Sequence, residues 1–174
     1  MGIPSSTIDK LTPYLGMTGA SAEDYLRLHP LTLTREEVDI LNRCVKAQQT
    51  KEVIQNYDQA VSRENRSRGP GNQLKKFREL RESEQTVILS LGYNMGPGFA
   101  AKAQREAAQK DPTGTWKNRS ELWRNLVTQN FEAAADNLQY AARHEKATEL
   151  AGRRLRERSY LLTGVAPTKD NPGV

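Results

Sequence analysis

Residues 86–93 read Thr-Val-Ile-Leu-Ser-Leu-Gly-Tyr, an apolar run in an otherwise polar chain. Val87, Ile88, Leu89, Leu91 and Tyr93 place apolar side chains on nearly every side of a helix. Such a helix is stable only when other elements enclose it, so the pattern predicts a buried central helix over about 83–95. The rest of the chain has to supply the enclosure. Of its 174 residues only 36% are hydrophobic and 27% are charged, so the core must come from one apolar face on each of several helices.

The remaining pattern agrees with that requirement. Strand signals are nearly absent: only Leu31-Thr32-Leu33-Thr34 alternates, and it is too short to count. A short helix is expected from about Ser6, with Asp9 at its third position, to before Gly16. A second follows Gly19 and stops at His29-Pro30, where proline forbids continuation. Thr34-Arg35-Glu36-Glu37 has capping-box spacing and opens the longest element. Val38, Leu41, Val45, Ile54, Tyr57 and Val61 recur along it at helical spacing, with room for a break near Gln49-Thr50. Residues 63–72 (RENRSRGPGN) are rich in turn formers and read as a mobile loop. Leu74, Phe77 and Leu80 make the next helical face, and Ser83 is placed to cap the central helix. Gly96-Pro97-Gly98 ends that helix, and another runs to about Lys110. Leu122, Trp123, Leu126 and Val127 mark one more. Asn130 caps a helix with Phe131, Ala134, Leu138 and Ala141 inward. The last runs from about Lys146 to Leu162 with Leu150, Leu155 and Leu162 inside, and ends on Gly164 as a C′ glycine. The expectation is an all-α fold of about nine helices, in a single domain over 1–166 with a flexible tail at 167–174.

Charge narrows the partners. With 26 Lys+Arg against 21 Asp+Glu the chain carries +5, which favours nucleic acid, anionic membrane or an anionic wall polymer without choosing among them. Arg63, Arg66, Arg68, Lys75, Lys76, Arg78 and Arg81 lie in one stretch with only Glu64 and Glu79 as acids, a surplus equal to the whole chain's. A second cluster is Arg153, Arg154, Arg156 and Arg158. No aromatic residues interleave as stacking platforms, so both clusters read first as solvated helix faces. The single Cys44 excludes an internal disulfide framework and reads as a small core residue. Two histidines, His29 and His144, make a multi-histidine metal site improbable, and no cofactor is called for. No stretch has the apolar length of a membrane span, and the opening MGIPSSTIDK lacks a signal-peptide pattern. The carboxylate pairs Glu23/Asp24, Glu36/Asp39 and Glu82/Glu84 stand at helix starts, where the dipole favours the ionised form and capping is the expected role.

Three segments in order carry a resemblance. Ser90-Leu91-Gly92-Tyr93-Asn94-Met95-Gly96, with Phe99 after it, resembles the central helix of phage-type lysozymes. Asn130-Phe131-Glu132-Ala133-Ala134-Ala135-Asp136-Asn137-Leu138 resembles a downstream helix of that family. Arg153-Arg154-Leu155-Arg156-Glu157-Arg158, running to Leu161-Leu162-Thr163-Gly164, resembles its final arginine-rich helix. Leu11-Thr12-Pro13-Tyr14-Leu15-Gly16, Pro30–Thr34 and the Glu37–Val45 helix are similar to a narrower branch, the lysozyme-like bacterial toxin and effector domains of the pesticin kind. The resemblance covers about residues 8–164.

It implies a two-lobed helical fold and muramidase chemistry at the β-1,4 bond after N-acetylmuramic acid in peptidoglycan. Tyr93 and Asn94 match positions that face the sugar cleft. Arg153 matches the arginine that pairs with the family's catalytic glutamate, and so lines a socket for an acidic partner. The family's glutamate and its glycine-patterned hairpin have no counterpart here, so the catalytic residue is unassigned. The acid is expected from an N-terminal segment or a companion chain. An immunity protein is a further expected partner, and the site of action is the periplasm or cell wall after specialised secretion or lysis. Two other readings stand beside this one: a non-catalytic glycan- or protein-binding module on the same fold, and a basic helical nucleic-acid binder.

Overall fold

The computed structural model describes residues 2–96, 115–145 and 147–166, with side chains from 118 in the second stretch. Among these residues it is all-helical, with seven α-helices and no strand. They are α1 (Ser5–Leu11), α2 (Gly19–Leu28), α3 (Arg35–Asn65), α4 (Glu82–Met95), α5 (Thr115–Val127), α6 (Phe131–His144) and α7 (Thr148–Thr163). Three short 3-10 turns stand at Thr12–Tyr14, Pro70–Asn72 and Phe77–Glu79. The expected count of nine is therefore not reached among the described residues. The helix expected up to Lys110, the Pro97-Gly98 turn, Phe99 and the tail from Pro167 lie outside them.

The chain divides into two compact units, Met1–Gln48 and Gln49–Val174. In the first, α1 is capped by the backbone of Pro4, two residues ahead of the Ser6 cap that Asp9 at the third position implies, and Thr7 is its buried residue. Thr34 and Glu37 form the expected capping box: Glu37 N donates to Thr34 Oγ1 (3.2 Å) and Thr34 N donates to Glu37 Oε2 (2.8 Å). The same carboxylate reaches back to α1, accepting from Lys10 Nζ at 2.8 and 3.0 Å and from Thr7 Oγ1 at 3.2 Å. Tyr14 donates its hydroxyl to His29 O (2.7 Å), and the Tyr25 ring packs against both the Tyr14 and His29 rings. Apolar burial is slight here: Val38 and Val45, expected on an inner face, are 40% and 53% exposed, and Cys44 is half-buried.

The second unit holds the core. Val53, Tyr57 and Val61 of α3 meet Val87, Ile88 and Leu91 of α4, Leu122, Trp123 and Leu126 of α5, and Ala134 and Leu138 of α6. Thus α4 does lie in the interior, and α3 is assigned without a break at Gln49-Thr50. Its packing is set by Gly92, where an added Cβ would overlap Val53 Cγ2 and stand 3.3 Å from Cγ1. Only a glycine admits the two helices at this separation.

Three local expectations are corrected. The Leu74–Leu80 segment is not a helix but extended chain around one 3-10 turn. Its backbone partners come from α3 and from Glu79: Phe77 N donates to Asp58 Oδ1 (2.8 Å) and Lys76 N to Glu79 Oε2 (2.6 Å). With those donors satisfied, Phe77 and Leu80 bury without helix formation. Ser83 does not cap α4; Arg81 holds that position, and Glu84, buried, accepts from Arg81 N (2.8 Å) and Nε (2.7 Å). In α7 the inner face is rotated from the one expected: Leu150, Leu155 and Leu162 are 37–40% exposed, while Arg154, Glu157 and Leu161 are buried. Charged residues turn inward here because Arg154 and Glu157 neutralise each other across one helical turn. Other boundaries hold: Asn130 Oδ1 caps α6 by accepting from Ala133 N, and Gly164 closes α7 in the left-handed region.

Two predictions follow from this packing. Gly92→Ala gains about 1 kcal/mol of helix propensity but drives a methyl into Val53, so the net effect is a loss of about 1–2 kcal/mol in urea unfolding. Adding Val53→Ala should recover part of that loss, giving a coupling of about 0.5 kcal/mol or more in the double-mutant cycle. In the first unit, the Lys10 ammonium bonded to Glu37, helped by the Thr34 amide, pulls the Glu37 carboxyl down from 4.5 to about 2. A depressed carboxyl stabilises the fold above its unfolded pKa and loses that contribution as pH falls. The α1 contact should therefore weaken from pH 4.5 down to about 2. An NMR titration of the Glu37 carboxyl reads this directly, and Lys10→Ala should move its midpoint up.

Candidate functional site

The central helix brings two expected residues to its C-terminal end. Tyr93 is 38% exposed, and its hydroxyl lies 2.5 Å from Thr50 Oγ1 on α3. Asn94 is exposed and turns back on its own helix, Nδ2 donating to Ser90 O at 2.6 Å. That leaves its carbonyl oxygen and second N–H for a ligand.

Arg153, the third, meets the same turn of α4 from α7. Its Nη2 and Nε donate to Ser90 Oγ at 3.1 and 3.4 Å. The carboxylate beside it comes from its own helix, Glu157, whose Oε1 is 3.4 Å from Arg153 Nε. Ser90 donates to that same oxygen at 2.5 Å. Glu157 Oε2 pairs with Arg154 Nη1, and both of these side chains are buried. Ser90 thus accepts from Asn94 on its carbonyl and from Arg153 on its hydroxyl, and donates its own hydroxyl hydrogen bond to Glu157.

Of these groups, Ser90, Arg153 and Glu157 line an open cavity of about 370 Å³ between α4 and α7. Thr86, Val87 and Tyr160 form a largely apolar wall, and Ser90, Arg153, Arg156 and Glu157 supply the polar surface. Arg154 faces a different cavity of about 220 Å³, shared with Met95, Asn118, Tyr140 and His144. His144 stacks on Tyr140 with ring centroids 4.0 Å apart and lies 2.8 Å from Tyr140 O.

Sequence reasoning missed Ser90, Arg154 and Glu157 as site members. The serine is visible as the one polar residue between Val87 and Gly92. Glu157 follows Arg153 and Arg154 by four and three residues, a spacing that equally describes an exposed helix pair. The arginine cluster is not uniformly solvated, because Arg154 is 5% exposed. The other cluster mostly is: Arg63, Arg66, Lys75, Arg78 and Arg81 are exposed. Among the carboxylate pairs, Glu23, Asp24, Glu36, Asp39 and Glu82 are exposed, and Glu84 caps α4. Among the described residues no group of three or more His, Cys, Asp or Glu is placed to hold a metal ion, and no helix is long and apolar enough to cross a membrane.

A protein-family model matches residues 1–111: Pesticin, described as the bacterial toxin homologue of phage lysozyme, C-terminal. No curated protein and no solved structure matches the chain.

The buried pair yields a prediction. Glu157→Ala leaves Arg154 uncompensated in the interior and frees Ser90, and should cost about 3–5 kcal/mol in chemical denaturation. Replacing both Arg154 and Glu157 by methionine should cost less than Glu157→Ala alone.

Proposed function

The chain belongs to the Pesticin family of lysozyme-like bacterial toxin domains, and from that membership we propose that it is a peptidoglycan-targeting domain with a lysozyme-like fold. The family match over 1–111 carries this reading; it spans α1 to α4, including the turn that bears Tyr93 and Asn94. In this role the exposed Tyr93 ring forms an apolar wall for a sugar face. The free amide edge of Asn94 accepts from a ring hydroxyl or donates to an N-acetyl carbonyl. The exposed cations of the 63–81 stretch raise the local concentration of an anionic wall polymer.

The family's bond, the β-1,4 linkage after N-acetylmuramic acid, is the proposed target, with the general acid contributed by a segment or chain outside this sequence. The sheltered carboxylates Glu37, Glu84 and Glu157 are not assigned that role. Each already accepts hydrogen bonds from a neighbouring cation, whereas a general acid has a proton to give. Arg153 is the acid-pairing position of this reading, and in this chain the acid that it meets is Glu157.

The test is release of dye-labelled fragments from insoluble peptidoglycan, run beside co-sedimentation of the chain with the same wall. Retention on the wall without release is the expected result, and Asn94→Ala should weaken it roughly fivefold through the loss of about 1 kcal/mol of hydrogen bonding. Failure to sediment with the wall, together with tight and steeply salt-dependent binding to random DNA, would replace this reading with the nucleic-acid one.

A further inference from the structure

We infer that the cavity between α4 and α7 is a carboxylate-binding site, and that its ligand is the peptide stem of peptidoglycan, held through a carboxylate on a short aliphatic residue. The inference rests on the proposed wall target and adds a subsite separate from Tyr93 and Asn94.

The charge balance comes first. Arg153, Arg154 and Arg156 fall within a single turn of α7, where the one carboxylate, Glu157, pairs with the first two. Three guanidiniums against one carboxylate leave a local surplus of two positive charges. Glu157 is already engaged on both oxygens, Oε2 by Arg154 and Oε1 by Ser90 and Arg153, and its single negative charge is shared between two guanidiniums. It can neutralise nothing further.

The donors come second. Arg153 spends Nε and one Nη2 proton on Ser90, and its Nη1 has no partner among the described residues. Arg156 makes no ion pair or hydrogen bond to any described residue. Its Nη1 lies back along the helix, 3.5 Å from where a Cβ on Gly152 would stand. Both arginines line the same cavity, one helical turn apart. Two guanidiniums lining one space can bind a planar carboxylate by charge-assisted hydrogen bonds.

The wall comes third. Val87, the Thr86 methyl and the Tyr160 ring give a short apolar surface beside the cations. A methyl or a two-carbon chain attached to the carboxylate is buried there, which a bare inorganic anion cannot exploit. The Ser90–Glu157 contact holds the Arg153 guanidinium by its inner edge, so its outer edge is oriented before any ligand arrives.

The experiment titrates the whole chain with acetyl-alanyl-glutamate, with the same dipeptide amidated at both carboxylates, and with inorganic phosphate, followed by NMR shifts and calorimetry. The free dipeptide should bind roughly tenfold or more tightly than the amidated one, with shifts at Ser90 and Tyr160. Arg153→Gln removes a partner of the buried Glu157, so Arg156→Gln is the primary variant; it leaves that pair intact and should weaken the free dipeptide by about the same factor. Equal binding of the amidated dipeptide, no effect of Arg156→Gln, or tighter binding of phosphate would each overturn the inference. Co-sedimentation with the wall separates it from the reading beneath. Wall retention without carboxylate discrimination sinks the subsite and leaves the target. Carboxylate binding that survives without wall retention keeps the site and sinks the target.

Discussion

The separation of α3 and α4 at Gly92 is the constraint on which the larger unit rests. No side chain other than hydrogen fits between α4 and Val53. That contact sets how deeply α4 enters the core, and so which of its faces is left for other work. Residues two apart on a helix lie about 200° apart, so Ser90 stands nearly opposite Gly92. The close approach that seals α4 against α3 therefore presents Ser90 to α7. Tyr93 lies one residue past Gly92 and keeps contact with α3 through Thr50. One glycine thus fixes both the depth of the core and the direction of the polar turn.

The inner face of α7 shows a second, less economical solution. Burying Arg154 and Glu157 removes two charges from water, and a well-packed apolar pair would be as stable or more so. Here the pair carries extra connections. Glu157 also accepts from Ser90, and Ser90 accepts from Arg153, so the ion pair links α7 to α4 by directional bonds. Apolar side chains at these positions would fill the space without fixing the register of the two helices.

These two features mark how much could be read beforehand. The interior position of α4 was legible, because a helix that is apolar all round has no alternative to burial. So were the Thr34 capping box, the Asn130 cap and the Gly164 stop, each a local signal with a local cause. The rotation of α7 was not legible, because the rule that charges face water fails when two charges satisfy one another at three residues' spacing. Nor was the loss of the helix over Leu74–Leu80, where Asp58, far along the chain, supplies the acceptor for Phe77. In both cases a long-range or buried polar contact overrode the periodicity, and periodicity carries no record of such contacts. At the site the pattern is the same. The resemblance located Tyr93, Asn94 and Arg153 one by one, while the residue that joins two of them, Ser90, was just a serine in an apolar run.

The family match ends at residue 111 and so covers α4 with Ser90, Tyr93 and Asn94 but not α7. A lysozyme-like role for the end of α4 therefore has support independent of the arginine helix, whereas any role for Arg153, Arg156 and Glu157 has to be argued from their geometry. The two lines meet at Ser90, whose carbonyl accepts from Asn94 and whose hydroxyl accepts from Arg153. A change at the arginine cluster that moves Ser90 moves the anchor of the Asn94 amide with it. The sugar recognition proposed at Asn94 and the carboxylate recognition proposed at Arg153 would thus be mechanically linked through a single residue, so that one wall polymer bearing both sugars and carboxylates could be held on two adjacent turns of the same helix pair.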